Sequence, residues 1–340
     1  MVTIKDVAKL AGVSVSTVSI VLNTTMEDRR VSPTTWKKVQ NAITTLNYKP
    51  STAARKLRKN TKETAVIGVF WPNRYHQASL LGETLFILQN AFDRSYFDCN
   101  IVIYMFSPEH LQECSELTEG ELLDGAIIGL ASTADLEWLE QETLKLPVVL
   151  FNRQVKTCNF VRSDNCAMGR KAAQLLLAAG DRSAALFHIQ KPSRGIEKRL
   201  NDFKEVYCQS EGTQCREYVF DIELNFEGII HQTQKMLNAG SADCVVYFTN
   251  EQAAYSSIYH MIKQQVRVPE DVKAVLVGVT FNNLSRYISP TLTLIASSGE
   301  QMLFDCAQIL IHQIKEPEIL PIQKIYTPEI IYGETFPQYE

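Results

Sequence analysis

Residues 2–23 read VTIKDVAKLAGVSVSTVSIVLN, and the reading of this stretch decides the architecture of the N-terminal part of the chain. Thr3 stands where a helix needs a side-chain oxygen to accept from its free N–H groups. Ile4, Val7, Ala8 and Ala11 then recur on one face at helical spacing. Gly12 follows at the position where helices end in a left-handed residue. Ser14 is the next capping residue and opens a second helix from Val15 to Leu22, with Val18, Val21 and Leu22 as its buried stripe. Ser16, Ile20 and Asn23, spaced i, i+4 and i+7, line the opposite face. Two short helices joined by a tight glycine turn form a helix-turn-helix unit, whose second helix is built to enter a DNA major groove. Ser32-Pro33 starts a third helix, with Val39, Ala42, Ile43 and Leu46 as its apolar stripe.

The charge distribution agrees with that reading. Residues 1–62 carry twelve Lys/Arg against three acids, a net of +9, whereas the whole 340-residue chain stands at −4. A basic module on an acidic body predicts that only the first part touches a polyanion. With 45% apolar and 21% charged residues, the composition is that of a globular protein of two or three domains. No run of 18 apolar residues predicts a membrane span. The opening residues do not read as a secretory leader, so the expected location is cytoplasmic and the eight cysteines, none in a CxxC pair, are expected as free thiols. The six histidines show no metal spacing, and no P-loop, GxSxG, HExxH or GxGxxG motif stands at a strand–helix junction. Neither a metal, a cofactor nor a catalytic residue is therefore expected.

Beyond the third helix, Tyr48-Lys-Pro50 closes the module. Ser51 can cap a short helix over 52–58, in which Ala53, Ala54 and Leu57 share one face and Arg55, Lys56, Arg58 and Lys59 supply charge. Such a helix is shorter than the roughly 12–15 residues that are marginally stable alone, so it is expected to fold only against a partner. From Thr64 onward, strands (66–70, 100–106, 125–129, 147–151, 184–189, 243–248, 272–279) alternate with helices (83–94, 169–179, 199–209). This predicts parallel sheets with helices on both faces.

Val2 to Asn23, Val31-Ser32-Pro33 and Ala42 to Pro50 closely resemble the headpiece of the LacI/GalR family of bacterial repressors, some fifty residues in order. The resemblance implies an all-α helix-turn-helix headpiece over 1–50 and a hinge helix and linker over 51–62. Over 63–340 it implies an α/β effector domain of two interleaved lobes, like periplasmic sugar-binding proteins, with the chain crossing between lobes near 163, 291 and 322. The family's base-reading positions fall on Val15, Ser16 and Ile20. Thr17, Ser19, Asn23 and Arg30 fall where phosphates are held, and Thr3, Ser14 and Tyr48 complete the headpiece's DNA-facing set. In the hinge, Leu57 matches the leucine that wedges the minor groove, Ala53 and Ala54 allow two hinges to approach, and Arg58 adds charge. The implied partners are a pseudo-palindromic duplex operator, a second copy of the chain and a small effector, expected to be a sugar or sugar derivative. Dimer contacts are expected from the helices around 80–90 and 111–117.

Ligands of doubly wound sheets bind at strand ends. The candidate effector residues are accordingly Asn73, Arg74 and Tyr75 after the first strand, Asn152 after 147–151, Arg199, Asn250 and Thr280. Arg199 begins a segment resembling the family's Arg-x-x-Gly-Phe, and a guanidinium can fork two hydrogen bonds onto one ligand group. Several positions depart from the family: Thr280 replaces an aspartate that commonly holds sugar hydroxyls, Asp202 replaces a glycine, and Glu251 an aspartate. An altered sugar, a phosphorylated or acidic ligand paired with Arg74 or Arg199, or loss of the ligand would each fit those changes. A solute-binding protein without a DNA role fits the α/β body but not the headpiece.

Overall fold

The structure, a computed structural model, describes residues 3–22, 31–46, 48, 64–73, 78–221, 227–240, 242–281 and 287–338. The expected hinge helix, with Ala53, Ala54, Leu57 and Arg58, lies outside them, as do Asn23, Arg30, Arg74 and Tyr75.

Three helices form the headpiece: α1 (Ile4–Ala11), α2 (Val15–Leu22) and α3 (Pro33–Leu46). The Asp6 carboxylate accepts from the Thr3 N–H at 2.8 Å and from its hydroxyl at 2.7 Å. These two bonds hold the start of α1 and keep the Asp6 carboxyl below its usual range. Gly12 adopts φ 66°, a left-handed turn that costs a side-chain-bearing residue about 1–2 kcal/mol. Ile4, Val7, Ala8, Ala11, Val18, Val21, Val39 and Ala42 make one small core, with Leu22, Ile43 and Leu46 packed at its edge.

The body contains two six-stranded sheets. The first, in order β11-β5-β4-β3-β1-β2, uses β1 (Ala65–Pro72), β2 (Cys99–Phe106), β3 (Gly125–Gly129), β4 (Val148–Phe151), β5 (Asn159–Ser163) and β11 (Gln323–Tyr326). The second, in order β12-β10-β9-β8-β6-β7, uses β6 (Ser183–Ile189), β7 (Gln214–Phe220), β8 (Cys244–Phe248), β9 (Lys273–Thr280), β10 (Thr293–Ser298) and β12 (Glu329–Ile331). All pairings are parallel except β10 with β12. The helices that cover the sheets are α4 (Ala78–Arg94), α5 (Ser115–Glu119), α6 (Thr133–Gln141), α7 (Asn165–Ala178), α8 (Arg194–Tyr207), α9 (Glu227–Asn238), α10 (Glu251–Lys263) and α11 (Gly299–Lys315).

Burial on both faces explains why the central strands are apolar throughout rather than alternating. Along β1, Ile67, Val69 and Trp71 join one core layer with α4 and α11, while Phe70 joins the opposite layer with Phe106 and Ile128. In β8, Val245 and Tyr247 face one layer, and Cys244, Val246 and Phe248 the other.

Strand membership places the three crossings between Ser163 and Asn165, between Ser298 and Gly299, and between Tyr326 and Glu329. The second and third thus differ from the expected 291 and 322. The difference arises because β10 completes the second sheet before α11 packs on the first lobe, and β11 pairs with β5 before the chain returns. The expectation of free thiols fails at one place. Cys208 caps the end of α8, Cys215 is the second residue of β7, and the turn between them brings the two into a disulfide with Cα atoms 6.4 Å apart. Sequence spacing alone did not reveal that the turn doubles back. Among the described residues, no helix is long and apolar enough to cross a membrane.

Helices α7 and α8 cross at Gly169, where an added Cβ would stand 2.1 Å from the Arg199 carbonyl oxygen and 2.9 Å from the Phe203 nitrogen. Both are backbone atoms, so neither can swing away. Gly169→Ala is expected to destabilise the protein by about 1–3 kcal/mol, read as a lower midpoint in denaturant unfolding; an unchanged midpoint would show that the helices can separate freely.

Candidate DNA-facing helix and interlobe cleft

The exposed surface of α2 is built by its cap. Ser14 Oγ accepts from the Thr17 N–H at 3.1 Å and lies 2.7 Å from Ser16 Oγ and 2.8 Å from Thr17 Oγ1. Three hydroxyls are therefore clustered at the N-terminal end of α2. Ser14 and Ser16 are exposed; Thr17, Ser19 and Ile20 are half-buried. Val15 departs from a purely outward role, because it packs at the edge of the headpiece core. Tyr48 is 9% exposed and belongs to that core, so its ring supports the module from within. Thr3 is exposed but engaged with Asp6.

A cavity of about 540 Å³ opens between the two lobes. Its first-lobe wall includes Ala131, Ser132, Phe151, Asn152 and Arg153, and its second-lobe wall includes Asn165, Ser193, Gly195, Arg199 and Val279. Arg199 lies on the buried face of α8, 6% exposed. Its Nε donates to Asn165 Oδ1 at 2.7 Å and its Nη1 to the Val277 carbonyl at 3.3 Å. Asn165 starts α7, and the absence of a side chain at Gly195 lets its amide sit against α8, 3.1 Å from where a Cβ would be. Burial, and next the charge of Arg153, lower the Arg199 pKa to about 10.

Arg153, which directly follows Asn152 at the same strand end, also lines the cavity. Its Nε donates to the Ala131 carbonyl at 2.6 Å and its Nη1 to the Asn152 carbonyl at 2.8 Å. Burial lowers its pKa to about 10, against a raising influence from Asp135. Asn152 holds φ 51°, the left-handed region that asparagine enters more readily than most residues. Its side-chain Oδ1 is buried with no hydrogen-bond partner. Phe281 and Phe151 meet edge-on with centroids 5.8 Å apart and give the cavity an apolar wall. At the rim, Arg194 bridges the lobes to Glu137 at 2.7 Å and Glu140 at 3.7 Å.

Other candidates fall elsewhere. Asn73 is exposed and does not line the cavity. Asn250 caps α10, its Oδ1 accepting from the Ala253 N–H at 2.9 Å, and Thr280 ends β9 between two cavity residues without lining it. Asp202, in place of the family's glycine, is 3% exposed and bonds Arg170 at 2.8 Å and Lys198 at 3.0 Å. It ties α8 to α7 and does not face the cavity. The leucines of the expected 111–117 dimer segment, Leu111 and Leu117, are fully buried in the first lobe. Among the described residues, no three His, Cys, Asp or Glu side chains gather as metal ligands.

Two family models match the chain. One, described as bacterial regulatory proteins, lacI family, covers residues 3–51; the other, a periplasmic binding protein-like domain, covers 173–336. An HTH-type transcriptional repressor PurR from Aliivibrio salmonicida is 27% identical over 93% of both chains. A ribose operon repressor from Haemophilus influenzae is 25% identical over 93% of both. Among solved structures, the lac repressor dimer bound to operator and the anti-inducer ONPF superposes with a TM-score of 0.67 at 21% identity, covering 99% of each chain.

The two lobes also bring acids together. Glu251 begins α10, and burial, with the charge of Glu83 on α4 adding to it, pushes its carboxyl up to about 7. Its ordinary value is 4.5, so between those pH values the unfolded chain has already lost a proton that the folded chain keeps. Stability from this group therefore falls as pH rises through that window. Glu251→Gln is expected to flatten the decline in melting temperature from pH 4.5 to pH 7; an identical slope in the variant would remove Glu251 as its source.

Proposed function

We propose that the chain, whose residues 3–51 match the model of the lacI family of bacterial regulatory proteins, is a sequence-specific DNA-binding transcriptional repressor whose operator affinity is controlled by a small molecule held between its lobes. The observation that carries this reading is the headpiece: residues 3–51 match the family model, and α2 carries its hydroxyl-rich end on a three-helix core. A solute-binding protein without a DNA role would have no use for that module. No catalytic residue enters the reading.

In this reading, a homodimer presents two α2 helices to successive major grooves of a pseudo-palindromic operator. Val15, Ser16 and Ile20 are the base-contacting set: Ser16 exchanges hydrogen bonds with a base edge, and the apolar pair meets thymine methyls. Thr17, Ser19, Asn23 and Arg30 hold phosphates and set register. Exposed apolar groups support the dimer. Phe86 on α4 is 71% exposed, and Val102, Ile103 and Met105 are exposed along the edge strand β2. A patch of this kind marks an association surface.

The hinge couples the two functions. Two hinge segments fold against each other and the minor groove when the bodies hold them at the right spacing, and Leu57 wedges the central step. An effector that binds one arrangement of the lobes more tightly shifts the operator-competent population by that difference in affinity. Arg199 and Asn152 are the residues of the described cleft through which we expect the effector to act.

Selection from a random duplex library at fixed salt is expected to return a pseudo-palindrome; a library that shows no enrichment would overturn the regulator reading. On that operator, Leu57→Ala is expected to weaken binding by about tenfold or more and to reduce DNA bending, since unstacking and wrapping go together. Unchanged affinity together with unchanged bending would sink the hinge assignment.

A further inference from the structure

The cleft contains two arginines that, among the described residues, make no ion pair. Arg153 and Arg199 both face the 540 Å³ cavity, and each is anchored by neutral acceptors alone: the Ala131 and Asn152 carbonyls for one, Asn165 Oδ1 and the Val277 carbonyl for the other. Among the described residues neither makes an ion pair. Asp135, the carboxylate that acts on Arg153, is fully buried and already accepts from the backbone N–H groups of Glu109, Leu111 and Ser132. At the rim, Glu137 is taken by Arg194. An adjoining cavity of about 640 Å³ shares Asn152 and Arg153 and adds Lys156 and Arg162, neither of them in an ion pair among the described residues, whereas its Arg194 and Lys198 are paired with Glu140 and Asp202.

Two guanidiniums whose charged forms are each disfavoured by burial, Arg199 also by the charge of Arg153, are destabilised until an anion arrives. A neutral polyol would accept their N–H bonds and leave the charges facing each other. The donor side of the ligand has its own marker. Asn152 Oδ1 is a buried acceptor without a partner, a state that costs about 1–3 kcal/mol until a hydroxyl or N–H donates to it. Phe151, Phe281 and Val279 offer an apolar surface for a ring face.

We propose that the effector is a small hydroxylated oxyanion, a phosphate ester or a carboxylate, whose charged group binds between Arg153 and Arg199 while one of its hydroxyls donates to Asn152 Oδ1. The proposal rests on the reading of the cleft as the effector site. Charge-assisted, two-pronged hydrogen bonds give arginine its preference for such groups. They would make the ligand's charge, rather than its hydroxyl pattern, the main source of affinity.

The test uses the full-length protein, with calorimetry and thermal shift at matched ionic strength set with chloride. The probes are inorganic phosphate, ribose, ribose 5-phosphate and ribonate. At least one of the two anionic sugars is expected to bind about tenfold or more tightly than ribose, with inorganic phosphate competing. If only inorganic phosphate binds, the grip on the anion is still supported; the order of the two anionic sugars tells phosphate ester from carboxylate. Arg153→Gln and Arg199→Gln are each expected to lose about tenfold in phosphate affinity. Should either variant fail to fold, the wild-type comparison and its weakening with salt decide the matter. Ribose binding as tightly as both anions, or phosphate stabilising no more than chloride, overturns the proposal. Operator selection on the same preparation separates the two failures: a selected palindrome with no anion preference defeats only this inference, and anion binding without any selected duplex defeats only the regulator reading.

Discussion

The contact on which the cleft depends is the crossing of α7 and α8 at Gly169. The backbones approach so closely there that the Arg199 carbonyl occupies the space of a side chain. That crossing fixes the rotation of α8, and with it the direction of the Arg199 guanidinium. The same pair of helices supplies Asn165, which holds Arg199 Nε, and the Arg170–Asp202 ion pair, which ties the helices again on the side away from the cavity. Because α7 begins directly after the first crossing between lobes, the position of the ligand-facing arginine is set where the chain leaves one lobe for the other. The helix pair is apolar at its centre, through Met168, Ala172, Leu200 and Phe203, so the polar groups are held at its ends by a rigid middle.

Much of this architecture could be read from the chain because it follows from periodicity and local chemistry. The headpiece was legible residue by residue: Thr3, Gly12, Ser14 and Ser32 are helix punctuation, and Val18, Val21, Val39 and Ala42 mark buried faces by spacing alone. Most of the core strands were legible because a strand covered on both sides must be apolar along its length. Helices α6, α9, α10 and α11 and strands β5, β7, β10, β11 and β12 were not among the elements read. Asn159–Ser163 mixes polar and apolar residues, and Gln323–Tyr326 becomes a strand only because β5 offers it an edge. Those elements are defined by partners far away in the chain, which also accounts for the shifted second and third crossings.

The site was legible only in part, for a similar reason. Arg199 was found by its motif. Asn152 and Arg153 stand out by their place after a strand, but nothing local tells which of two consecutive residues turns inward, and both line the cavity. Asn250 shows the opposite error. An asparagine after a strand and before a helix has two uses, and here it caps the helix. The substitution of Asp202 for glycine looked like a change of pocket. It is a change of helix packing, visible only once Arg170 and Lys198 are seen beside it. The disulfide between Cys208 and Cys215 joins two residues that a count of cysteines could not pair.

The threading of the chain also bears on how the molecule is made. Strand β11, residues 323–326, closes the edge of a sheet whose other members all lie before residue 164. A chain growing from the ribosome can complete the headpiece from local contacts within its first fifty residues. The first sheet must wait, with β5 unpaired on one side, until nearly the whole polypeptide has emerged. Helix α11, which fills the core beneath that sheet, arrives only shortly before. A nascent chain therefore carries a finished DNA-facing module well before it has a finished body. The long-range pairing that completes the first lobe is the last and slowest kind of contact to form. Any truncation before Tyr326 leaves the first lobe, rather than the second alone, without its full set of strands.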